Sequence, residues 1–286
     1  MYRRRLLAGV AVTFGAVAAG CGRKASRPTA TEVLSSASRA FTSALSKAAG
    51  GVSVSPAGST LVPSVASAST AETLTITAES FSFQPLSLFV ASGATITFTS
   101  TDVTPYAVQL APGAPAAWPK IALTQGKSVT QRISAPGVYR FYDPTFATWD
   151  ASASAVESLT ASPAYPAAME GLLCATGTGF SGTEVVSVSA TKGGLFSPTV
   201  VVIEMGGTVT WTNALAGVCQ LESVDGLINV SVRAGGTASQ AFPTTGIHHY
   251  YCANYAGLDP ATGQVVAIQG VAPGYPLAMQ GWICVV

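Results

Sequence analysis

The chain has 286 residues, of which 9% are charged, with 29 glycines and 17 prolines. An average globular protein carries about 25% charged residues, so the composition suits short strands and turns better than helices. The formal charge of +1 hides a basic leader on an acidic body: from Glu72 onward there are twelve acidic and six basic residues. With no basic patch in that part, nucleic-acid binding is excluded.

The N-terminus reads as an export signal. Arg3, Arg4 and Arg5 form a charged region, and residues 6–19 form an apolar run too short to span a bilayer. The run ends Val17-Ala18-Ala19-Gly20-Cys21, which resembles a bacterial lipobox and makes Cys21 the expected lipid-bearing residue of a 1–21 leader. A plain cleaved signal peptide and an organellar transit peptide are the alternatives. Localisation is therefore expected at the periplasm or cell surface, or in an organelle lumen under the last alternative. Residues 22–72 lack hydrophobic periodicity and are rich in Ser, Ala, Thr, Gly and Pro. They are expected to be a disordered tether holding the rest off a membrane.

Beyond residue 72 alternating patterns dominate. In 73–176 the clearest strand is Thr95-Ile96-Thr97-Phe98-Thr99-Ser100. In 183–286, residues 199–204 and 208–213 read as strands with a turn at Met205-Gly206-Gly207 between them, and 238–242 and 247–252 follow. A twelve-residue phrase occurs in both parts, at 163–174 and 273–284, with Pro, Tyr, Pro, Ala, Met, Gly and Cys in register. A period of 110 residues means two copies of a whole domain rather than a solenoid. The domains are placed at 73–176 and 183–286, joined by 176–182. Many short strands at regular spacing imply an all-β sandwich or barrel in each. Strand parity puts Met279, Gly281, Ile283 and Val285 inward. Trp282 and Cys284 then face outward, as do Leu172 and Cys174 in the first copy, which suggests a covered face between the domains.

Four stretches of the second copy, Phe196-Ser197-Pro198, Gly207-Thr208-Val209-Thr210-Trp211-Thr212-Asn213, Gly246-Ile247-His248-His249-Tyr250-Tyr251-Cys252 and Met279-Gln280-Gly281, resemble the plastocyanin-like blue copper proteins, the cupredoxins. The resemblance implies two tandem Greek-key cupredoxin-like domains. A blue copper site takes two imidazoles, a thiolate and a weak axial thioether. Carried over by motif, the second copy offers Cys219 (or Gln220) at the first His position, Cys252 at the Cys, Tyr255 at the second His and Met279 at the Met. The first copy offers Tyr106 (or Ala107), Asp143, Phe146 and Met169, and is read as copper-free.

Three readings of the second site stay open: a Cys219–Cys252 disulfide, favoured by export; a sulfur-rich Cu(I) pocket of Cys219, Cys252 and Met279; or two reduced, buried cysteines. Cys174 and Cys284 are either bridged across a local twofold or two separate thiols. The two histidines of the chain, His248 and His249, are read as core-facing and surface-lying rather than as ligands. No phosphate loop, Ser/His/Asp set or paired-carboxylate motif stands out. Asp143 and Asp150 are expected to cap a loop rather than to act as acid and base, and no enzyme activity is expected. The resulting expectation is an exported, membrane-tethered structural or binding module with no cofactor. Copper binding with electron transfer at the sulfur-rich site is the alternative. The membrane is reached through Cys21, the protein partner is undefined, and the aromatics Trp118 and Trp149 are its candidate contacts.

Overall fold

The structure, a computed structural model, describes residues 73–286; the leader, Cys21 and the tether lie outside the described residues. Among the described residues every regular element is a β-strand. The first copy contributes β1 (Thr73–Glu79), β2 (Ser82–Gln84), β3 (Ser87–Ala91), β4 (Thr95–Ser100), β5 (Tyr106–Leu110), β6 (Ile121–Leu123), β7 (Ser128–Arg132), β8 (Gly137–Tyr142), β9 (Ala147–Asp150), β10 (Ala155–Ser158) and β11 (Glu170–Thr176). The second contributes β12 (Thr183–Ala190), β13 (Phe196–Ser197), β14 (Val200–Asn213), β15 (Cys219–Ser223), β16 (Asn229–Val232), β17 (Thr237–Ala241), β18 (Gly246–Cys252), β19 (Ala256–Leu258), β20 (Val265–Ala267) and β21 (Gln280–Val285).

Alternation sets which side chains go inward. On β4 Ile96 and Phe98 are buried while the threonines between them are half-exposed. In the first copy the sheets β2-β1-β4-β7 and β3-β11-β8-β5-β6 enclose a core that includes Ile76, Phe83, Phe98, Phe141 and Leu173. In the second copy Trp211, Phe196, Tyr250, Phe242 and Ile283 fill a separate core. Each copy starts the same way: β1 pairs parallel with β4, and β12 pairs parallel with β14.

The turn expected at Met205-Gly206-Gly207 is absent. The segment lies inside β14, which runs unbroken from Val200 to Asn213. Its N-terminal part pairs with β21 and its C-terminal part with β12 and β17, so one bent strand serves two layers. The bend is held by backbone bonds from Met205 N to Val286 O (2.9 Å) and Gly206 N to Phe242 O (2.8 Å). Gly206 sits at φ +86°, a left-handed conformation open to glycine without steric cost. In the first copy the equivalent bend, at Gly93 (φ +98°), separates β3 from β4.

The repeated phrase recurs because its residues meet the same constraints twice. The Tyr165–Pro166 and Tyr275–Pro276 bonds are both cis. Met169 and Met279 are buried in their respective cores. A Cβ on Gly171 would lie 2.3 Å from the Phe141 ring, and one on Gly281 2.6 Å from Tyr250, so an aromatic from the neighbouring strand presses on a bare backbone in both copies.

The outward faces of β11 and β21 meet each other. Leu172, Cys174, Ile247, Trp282 and Cys284 form one buried cluster, flanked by Phe89, Val138 and Val202, so the covered face read from strand parity is the seam between the copies. Across it residues meet their own counterparts 110 positions away. Tyr165 packs edge-on to Tyr275 (5.9 Å between centroids), Gln280 Nε2 donates to Glu170 Oε1 (2.8 Å), and the Cys174 and Cys284 thiols lie in one buried cluster. A surface that pairs each residue with itself is what a twofold axis produces.

The stretch between Cys252 and Met279 carries the hairpin β19–β20, and its counterpart carries β9–β10. Each hairpin reaches across the seam. Thr262 O accepts from Gln84 Nε2 (2.6 Å), and Gln264 Nε2 donates to Ala168 O (2.9 Å). Reciprocally, Ser154 O accepts from Thr199 Oγ1 (3.1 Å).

Candidate functional site

The four positions assigned in the second copy converge. Cys219 begins β15, Cys252 ends β18, and Met279 immediately precedes β21; all three are buried in one core cluster, with Tyr255 packed against it. Cys219 and Cys252 form a disulfide, with Cα atoms 5.6 Å apart, within the usual range for such a bridge. Of the three readings of this pair, the structure has the first. Asn213, at the end of β14, shapes the approach to Cys219: its Nδ2 donates to Gly217 O (2.8 Å) and Val232 O (2.9 Å), and its Oδ1 accepts from Leu215 N (2.9 Å). The Trp-x-Asn pattern contained this residue, but periodicity alone does not expose its role.

The backbone around the site is the same in both copies. Cys252 N donates to Met279 O (3.1 Å) as Asp143 N does to Met169 O (3.0 Å), and Tyr255 N donates to Cys252 O (2.9 Å) as Phe146 N does to Asp143 O (3.1 Å). The side chains differ. Where the second copy joins two strands by a disulfide, the first joins them by a carboxylate: Asp143 Oδ2 accepts from Ala107 N (2.8 Å) and Oδ1 from Thr145 N (2.7 Å). Burial pushes the Asp143 carboxyl above its ordinary range, opposed by these hydrogen bonds. Tyr106 and Phe146 pack edge-to-face at 5.9 Å with Phe81 against both. Burial and the hydrogen bond to Asp102 raise the Tyr106 phenol to about 12. Asp150 Oδ1 accepts from Ser152 N and Ala153 N, so both aspartates hold turns.

Asp143→Ala leaves two backbone N–H groups without acceptors, one of them buried. An unsatisfied buried donor costs about 1–3 kcal/mol, so urea denaturation of this variant is expected to show a loss of about 2 kcal/mol. A loss within the ~0.5 kcal/mol typical of indifferent surface changes would show that Asp143 does not tie the strands.

His248 faces the second core, its ring 5.0 Å from Phe242, and its Nδ1 lies 2.6 Å from Asp225 Oδ2. Against its own burial, the hydrogen bonds from His248 and Ser223 hold Asp225 below the ordinary carboxylate range. The expectation of a surface-lying His249 is overturned. Its ring stacks on Trp282 at 3.6 Å and 7°, and its Nε2 lies 2.7 Å from Gln280 Oε1. Parity had the direction right, but the face it points to is covered by the other copy. Burial pushes the His249 imidazole down to about 4. Neither imidazole points to the cysteine pair, and among the described residues no group of three or more His, Cys, Asp and Glu side chains could hold a metal ion.

His249 belongs to a chain of polar groups through the seam. Its Nε2–H donates to Gln280 Oε1, Gln280 Nε2 donates to Glu170 Oε1, and Glu170 Oε2 accepts from Arg140 Nη2 (2.8 Å). The chain is itself repeated: Arg140 is the counterpart of His249, and Glu170 of Gln280. Each base lies against a tryptophan, Arg140 over Trp149 at 5.2 Å and His249 on Trp282. Trp149 is half-buried, and so is Trp118, which packs on Phe98 and Tyr139. Cys174 and Cys284 are buried free thiols, so the bridge considered for them is not formed. Contact with Cys174, and then burial, pushes the Cys284 thiol well up.

No family model matches the chain, and no curated protein matches it. Among solved structures, the "Novel Purple Cupredoxin from Nitrosopumilus maritimus" is 22% identical over 35% of this chain and 99% of its own, with a TM-score of 0.26. A reduced amicyanin mutant is 14% identical over 36% of this chain and 82% of its own, at a TM-score of 0.27. A Cu(I) form of another amicyanin mutant is 18% identical over 36% and 84%, at 0.26.

Proposed function

We propose that the chain is an exported tandem cupredoxin-like protein, tethered to a membrane by a lipid at Cys21, whose two copies no longer carry redox copper and act as a structural or binding module. The observation that carries this reading is the side-chain chemistry at the converged positions. The second copy places a disulfide, a thioether and a phenol there. The first places a phenol, a carboxylate, a phenyl ring and a thioether there. A blue copper centre needs nitrogen donors and a free thiolate, and these residues do not fit it. In their place the disulfide and the Asp143 hydrogen bonds close the same two strands.

A second reading rests on the convergence of Cys219, Cys252 and Met279 in one cluster. Reduction of the disulfide would leave three soft sulfur donors together, a set that suits Cu(I).

Titration of the oxidised protein with Cu(II), followed by equilibrium dialysis and visible absorption, tests the main reading. No stoichiometric uptake and no intense visible band are expected. Uptake of one Cu(II) per chain with such a band overturns it. Titration of the reduced protein with Cu(I) tests the second reading, which expects one ion bound and its loss in Met279→Leu.

A further inference from the structure

We propose that the polar chain through the seam is an acid-released latch, in which protonation of His249 lets the two copies part while each keeps its own fold. The inference goes beyond the copper question and does not rest on it.

The geometry leaves an imidazolium here without a partner. The His249 ring stacks on Trp282, and among the described residues the ring's one hydrogen-bonding partner is the neutral amide of Gln280. The charged groups around it come from several elements. Arg140 on β8 repels a second positive charge. Glu170 on β11 is already engaged by Arg140 and Gln280. Asp225, between β15 and β16, attracts the charge but is bonded to His248 and Ser223. Beside it lies the apolar cluster of the seam, Leu172, Ile247 and Trp282 with the two thiols. A proton added to His249 therefore puts a charge with no anionic partner of its own against Trp282 and a buried apolar cluster, which favours the open arrangement.

The sign follows from linkage. The exposed imidazole takes its proton near 6.5, and the seam-buried one only near 4. Between those values the open form binds more protons, so the latch is complete above about pH 6.5 and weakens as pH falls towards 4. The two inner cores need not follow. They are closed by apolar side chains, and the second also by the disulfide.

Cys174 and Cys284 report on the seam because both are free and buried in it. The full chain is exposed to a disulfide-type thiol reagent that reacts at acid pH, and labelled peptides are located by mass spectrometry. Far-ultraviolet circular dichroism is followed in parallel. Both thiols are expected to be protected at neutral pH and to become reactive between about pH 6 and 4, before the β signal is lost. In His249→Gln, which cannot take the proton, exposure is expected to shift to lower pH by at least about half a unit. Labelling that appears only together with loss of the β signal overturns the proposal. So does an unchanged acid midpoint in His249→Gln, or full labelling at neutral pH. If that variant does not fold, His249→Asn supplies the same comparison, and the order of labelling and β-signal loss in the unmodified protein decides by itself.

Discussion

Replacing both Cys219 and Cys252 by alanine is expected to lower the unfolding free energy by about 3–4 kcal/mol. The bridge joins residues 33 apart in sequence. Cross-linking a loop of that length removes chain entropy from the unfolded state, and the entropy scales with the logarithm of the loop. The two sulfurs also sit in the core of the second copy, so their loss adds a packing term of the same sign. Each single variant should lose almost as much as the double one, because either change breaks the bridge. Treating the unmodified protein with a reductant should reproduce the cross-link part of the loss, since both sulfurs stay in the core, whereas it should leave the double variant unchanged. Urea titrations with and without reductant measure all of this. A double variant within ~0.5 kcal/mol of the parent would mean that the cysteines contribute little as a cross-link.

Arg140→Met is expected to cost about 3–5 kcal/mol, as breaking a buried ion pair from one side does. Arg140 and Glu170 are 11% and 6% exposed in their side chains, so the carboxylate left behind cannot be rescued by water. The substitution also removes the donor to Ser154 O and the cation over Trp149, loosening a hairpin that grips the other copy. Adding Glu170→Gln should recover most of the loss. A neutral amide at 170 can still accept from Gln280, and no buried charge remains. Denaturant titrations of the two variants decide it. A single variant near parental stability, or a double variant worse than the single, would contradict the account of the seam.

Much of this architecture was legible in the residues. Alternation at Thr95–Ser100 marked a half-buried strand, and β4 buries Ile96 and Phe98. Parity from Met279 onward separated Ile283 and Val285, which enter the core, from Trp282 and Cys284, which enter the seam. The spacing of the second copy's motif brought Cys219 and Cys252 to one place. What parity does not say is what covers a face. His249 points away from its own core, which reads as solvent until a second sheet is laid over it. Trp118 and Trp149 pack within their own copy, on Phe98 and under Arg140, which alternation does not reveal either. The Met205-Gly206-Gly207 stretch reads as a turn because glycine pairs usually break strands. Here bonds from β14 to Phe242 and Val286 keep it in the ladder. The hairpins β9–β10 and β19–β20 carry no alternation long enough to mark them, and it is their contacts across the seam that give them a role.

In the proposed reading, the Cys219–Cys252 bridge between two strands stands where a redox metal would need a free thiolate. Peptide mapping without reductant, on protein produced with copper in excess, tests it most directly. A single linked species that contains both Cys219 and Cys252 is expected, with Cys174 and Cys284 recovered as thiols. Recovery of Cys219 and Cys252 as free thiols from protein that carries one copper per chain would contradict it.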